Sequence, residues 1–142
     1  METNESRYPR PETGGALARR TALGVLVAVV AVLLAQAVVD ALAIDVGAPE
    51  TMSPFAAGPL VGTTVVAGIG AAVAYAAMVR FTERPVRNFL AVSVGVFAFM
   101  LVPVALFTPE MGITPAGQGV LVLYHVLVAV PLVSLVAGAI EV

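Results

Sequence analysis

A chain of 142 residues with 60% hydrophobic and only 11% charged residues, at a mean hydropathy of +1.02, departs from a soluble domain, which is about half apolar and about a quarter charged. This composition excludes a disordered chain, a collagen-like chain and an ordinary soluble enzyme, and points to an integral membrane protein. The net charge of −2, with nine acids against seven arginines and no lysine, lacks the basic footprint of nucleic-acid binding.

Residues 1–17 carry Pro9, Pro11, Gly14 and Gly15 among polar side chains and predict a disordered cytoplasmic tail. Residues 18–142 then form one four-helix transmembrane domain. Its first apolar run, Thr21 to Val39, holds no charge. At about 1.5 Å per residue it approaches the roughly 30 Å of a bilayer core. The predicted helix covers about 19–43 and places Asp40 in its last turn. Arg19-Arg20 before this run and Ala35-Gln36-Ala37 within it also fit a twin-arginine export signal. The length of the run and the acid at its end favour a retained helix.

Asp45, Gly47, Pro49 and Glu50 mark a loop, extended by Met52-Ser53-Pro54-Phe55 as an apolar surface stretch. The second helix is predicted over about 59–80, with Pro59 in its first turn. A short link containing Arg80, Arg84 and Arg87 leads to a third helix over about 88–107. A loop with Gly112, Pro115 and Gly117 leads to a fourth over about 118–140. Continuous apolar runs of this length are transmembrane helices, not the alternating short strands of an outer-membrane barrel. Short connections imply an all-α, antiparallel, up-down-up-down bundle.

Arginine placement predicts orientation. Arg7, Arg10, Arg19 and Arg20 precede the first helix, and Arg80, Arg84 and Arg87 lie between the second and third. The other two loops carry only acids, so both termini should be cytoplasmic by the positive-inside rule, in the cell membrane.

Lipid tails give no hydrophobic drive for helix association, so close backbone approach must supply it. The second helix has small residues at four-residue spacing: Gly58 and Gly62, Gly68 and Ala72, Gly70 and Ala74. The first has Gly24, Ala28, Ala31 and Ala35 on one face, and these two faces are predicted to meet. Pro103 and Pro131 lie inside the third and fourth helices, where each removes a backbone hydrogen bond and should kink its helix.

Gln36, Asp40, Thr63, Thr64, Tyr124 and His125 fall at similar depth when counted from the helix ends. Polar groups in a membrane face the bundle interior and find partners. The predicted arrangement is a polar pocket open to the outside, with His125 hydrogen-bonded to Asp40 or Gln36. The absence of cysteine and a lone histidine leave no thiolate, iron–sulfur or multi-histidine metal site within one chain. No catalytic constellation, metal site or cofactor motif is visible.

The arginine-tipped first helix with its late acid Asp40, the Pro59-Leu60-Val61-Gly62-Thr63 start of the second, the Arg-rich link and Tyr124-His125-Val126-Leu127-Val128-Ala129 in the fourth together carry a resemblance. The chain resembles small four-helix integral membrane proteins of unknown function found in halophilic archaea and actinobacteria. The acidic, lysine-free, Ala/Val-rich composition is similar to the usage of salt-loving archaea. The resemblance implies architecture and no activity. The expected function is a non-enzymatic small membrane subunit or interaction protein, working in the lipid bilayer as a homo-oligomer or with a membrane protein partner. The alternative is a proton-linked small-solute transporter using His125 and Asp40, or a redox- or quinone-associated membrane component.

Overall fold

The computed structural model describes residues 14–47 and 53–140. Four helices account for nearly all of them: α1 (Gly14–Ala41), α2 (Ala57–Phe81), α3 (Pro85–Leu106) and α4 (Pro115–Val136). The fold is all-α, and each helix is long and apolar enough to cross a membrane.

Helix boundaries follow local chemistry. α3 and α4 start on prolines, Pro85 and Pro115. At a first helical position the missing N–H costs nothing and the fixed φ suits the helix. Both therefore begin three residues before the predicted starts at 88 and 118. Thr114 caps α4, its hydroxyl accepting from Gly117 N at 3.0 Å. α4 stops at Val136, short of the predicted 140, because Gly138 adopts φ +75°, the left-handed conformation that ends helices. α1 starts at Gly14, inside the segment expected to be a tail. The rest of that expected tail lies outside the described residues.

α1 packs mainly on α4 and α2, α3 packs on α2 and α4, and α1 and α3 do not meet. The buried stripe of α1 is Gly24, Ala28, Val32 and Val39. On α2 it is Leu60, Thr64, Gly68 and Tyr75. Such spacings of four and seven are one helical face. A Cβ on Gly24 would lie 3.3 Å from Leu132 Cδ2 and 3.5 Å from the Pro131 carbonyl, so the α1 backbone approaches α4 closely there. Gly68 lies against Val25 of α1 and Leu132 of α4.

Two clusters hold the ends. At the arginine end, Tyr75, Phe89, Val136 and Ala137 pack together with Leu17 against them. Tyr75 and Phe89 meet edge to face with ring centroids 5.2 Å apart. The Arg20 guanidinium lies over Gly138, at the end of α4, where a cation complements the helix dipole.

At the opposite end, Val32, Phe55, Leu60, Val104, Ile113, Leu121 and Tyr124 form the second cluster. The stretch around Phe55 was expected at the surface, but Phe55 is buried, 6.2 Å from the Tyr124 ring in edge-to-face contact. The turn bringing it inward is shaped by the Ser53 hydroxyl, which accepts from Phe55 N at 3.2 Å. The two loops at this end are stitched together. Thr114 N donates to the Val46 carbonyl at 3.1 Å, and the Thr114 hydroxyl donates to the Asp45 carbonyl at 2.6 Å. Gly117 is buried under the Val46 backbone, where a Cβ would also be only 2.8 Å from Ile113.

Large apolar side chains stand outward along every helix, among them Leu34 at 63%, Val66 at 69%, Val94 at 70% and Phe99 at 68% exposure. In water that much exposed apolar surface would drive aggregation. Against lipid it is the expected exterior.

Candidate functional site

The polar residues of the predicted layer fall into two groups. The first is a chain of hydrogen bonds from α4 to α1. The Tyr124 hydroxyl donates to Gln36 Oε1 at 2.7 Å. Gln36 Nε2 donates in turn to Asp40 Oδ1 at 2.7 Å, one helical turn along α1. The carboxylate only accepts, so the amide must present its nitrogen to Asp40 and its oxygen to Tyr124. Asp40 itself is exposed at the end of α1. Gln36 thus has an α4 partner, but it is Tyr124 and not His125, and Asp40 is joined to α4 only through Gln36.

The second group lines a cavity. Between Phe89 and Val104 no residue of α3 is buried. α3 is held at its two ends and stands off from α2 and α4 between them. The gap is a half-enclosed cavity of about 600 Å³. Its wall is apolar, with Leu60, Ala67, Phe97, Met100 and Leu121 among its residues. Thr63, Thr64, Ser93, Tyr124 and His125 are the hydroxyl- and imidazole-bearing residues that line it.

The hydrogens of the outer polar groups are committed within the protein. Thr63 donates to the Pro59 carbonyl at 2.7 Å, and Thr64 donates to the Leu60 carbonyl at 2.7 Å. Tyr124 donates to Gln36 as above. His125 Nδ1 lies 2.7 Å from the Leu121 carbonyl. A carbonyl only accepts, so Nδ1 carries the proton, and Nε2 of the neutral ring is an acceptor. Thr63, Thr64 and His125 all bond back to their own helices, which leaves Tyr124 as the member of the layer that ties two helices together.

A further polar knot was not anticipated. α3 ends near Leu106, which leaves the Val104 carbonyl without its helical partner. Gln118 of α4 donates to it at 3.0 Å and to the Thr108 hydroxyl at 3.1 Å. Thr108 also donates to the Val104 carbonyl. The signal available beforehand was Gln118 itself, a long amide in the first turn of α4 opposite the end of α3.

The small-residue positions also separate. Gly68 meets other helices, whereas Cβ atoms on Gly58, Gly62 and Gly70 would meet nothing within 4 Å among the described residues. Ala72 lines a shallow groove between α1 and α2, and Ala74 packs beside the arginine-end cluster. Pro103 and Pro131 lie within continuous α3 and α4. Arg80, Arg84 and Arg87 are exposed around the α2–α3 link. Arg19 is exposed near the start of α1.

Four apolar helices around a small polar layer place the chain among multi-pass membrane proteins. More narrowly, it belongs to DUF6069, a family of unknown function whose model matches residues 12–141. No curated protein and no solved structure matches the chain.

Proposed function

We propose that this protein is a non-enzymatic small subunit or interaction protein of the cell membrane, with both termini on the cytoplasmic side. In this reading the helices run up-down-up-down, and the arginines hold their end of the bundle against the cytoplasmic leaflet. The lysine-free, acidic composition fits an origin among salt-loving archaea.

The observation that carries the interaction role is the open face of α2. Glycine inside a helix costs about 1 kcal/mol relative to alanine. Gly62 is interior to α2, and a Cβ on it or on Gly58, four residues earlier in the first turn, would meet no atom within 4 Å among the described residues. Close approach of another helix is the use that such a pair has in a membrane. The approaching helix belongs to a second copy or to another membrane protein. Val66 continues the same row and is 69% exposed.

A photo-cross-linking amino acid at position 66, in native membranes, tests this. A discrete protein adduct is expected there, and only lipid adducts at position 94 on α3. No protein adduct at 66, or the same diffuse pattern at both positions, would overturn the proposal.

A further inference from the structure

The cavity beside α3 has a chemical polarity beyond its apolar wall. Thr63, Thr64, Tyr124 and His125 have each spent a proton on an acceptor inside the protein. What they retain toward a neighbour is lone pairs: three hydroxyl oxygens and the imidazole Nε2. Ser93, the other hydroxyl on the wall, accepts as well as donates. A ligand that only accepts, such as a carbonyl or an ether, meets one donor at most. A ligand that donates meets several acceptors in an otherwise apolar space, where an unmade hydrogen bond is costly. A volume of about 600 Å³ lies within the range of small-molecule sites, which are apolar with a few placed polar groups.

We propose that this cavity binds an apolar, membrane-soluble molecule through a headgroup hydroxyl, which donates to His125 Nε2 with the threonine oxygens alongside. The class includes phenols, hydroquinones and long-chain alcohols, and it excludes their ethers and the oxidised quinones. The inference rests on the membrane placement above. A wrong placement shows in the topology of the chain, whatever the ligand does.

His125 is the sole histidine, so protein carrying ¹⁵N-labelled histidine in lipid nanodiscs gives one imidazole pattern. Titration with 4-nonylphenol should move the Nε2 resonance saturably. Its methyl ether, 4-nonylanisole, has nearly the same shape without the donor, and should bind at least about fivefold more weakly, the worth of one such hydrogen bond. Ala67→Phe fills the cavity from an exposed position on its wall. It should lose the phenol response while keeping a cooperative thermal transition. If that variant fails to fold, Ala129→Leu serves the same purpose from α4. Equal binding of phenol and ether, no saturable shift with phenol, or an unchanged response in the folded cavity-filling variant would each overturn the proposal.

Discussion

Replacing Tyr124 by phenylalanine isolates the hydrogen-bond chain between α4 and α1. The ring and its edge-to-face contact with Phe55 at 6.2 Å remain, so packing is preserved and one hydroxyl is lost. That hydroxyl makes the 2.7 Å bond to Gln36 Oε1. Interhelical hydrogen bonds in membrane proteins average about 0.6 kcal/mol and reach about 1.7. Gln36 also donates to the Asp40 carboxylate at 2.7 Å, and such polarisation strengthens the next bond by about 10–30%. Tyr124→Phe should therefore destabilise the bundle by about 1 kcal/mol, near fivefold in the folding equilibrium. Reversible unfolding in bicelles by steric trapping would measure it. A double-mutant cycle with Gln36→Leu separates the bond from the rest of the truncation. The expected coupling is about 0.6–1.7 kcal/mol, reduced when Asp40→Asn removes the charge. A coupling indistinguishable from zero, or one unchanged by Asp40→Asn, would refute the chain as a connected unit.

Other perturbations probe the stitched end of the bundle. Thr114→Ala removes the α4 cap and the bond to the Asp45 carbonyl. It should cost about 1–2 kcal/mol and raise amide exchange at Gly117 and in the loop around Gly47. Gln118→Leu strips the end of α3 of its α4 donor. A loss of about 1 kcal/mol is expected by thermal unfolding, with faster exchange in the last turn of α3 and little change in α1. Gly68→Val drives a branched side chain into Val25 and Leu132 and should cost about 1–3 kcal/mol. The same change at Gly62, which faces open space, should leave monomer stability within about 0.5 kcal/mol.

How much could be read beforehand depends on what the residues do. Apolar periodicity and run length are properties of one segment, and they located four helices. Their edges moved where a proline opens a helix instead of preceding it, as at Pro85 and Pro115, or where Gly138 ends one early. The polar layer was visible as a set of depths. Its pairing was not, because Tyr124 and His125 are about 100° apart on one helix, and only the rotation of α4 against α1 decides which of them reaches Gln36. Phe55 read as surface because a loop gives no periodicity, and its burial depends on the Tyr124 ring beneath it. The cavity arises from an absence of buried positions on α3 between Phe89 and Val104. No single segment encodes that standoff.

In the proposed orientation the arginine-bearing end of the bundle faces the cytoplasm. The chain has no cysteine, so each introduced thiol is its only one. Glu110→Cys places it in the exposed α3–α4 turn, and Ala139→Cys places it at the exposed arginine-end terminus of α4. In intact cells a membrane-impermeant maleimide should label position 110 and leave position 139 untouched until the membrane is opened. Labelling of 139 with protection of 110, or free labelling of both in intact cells, would contradict it.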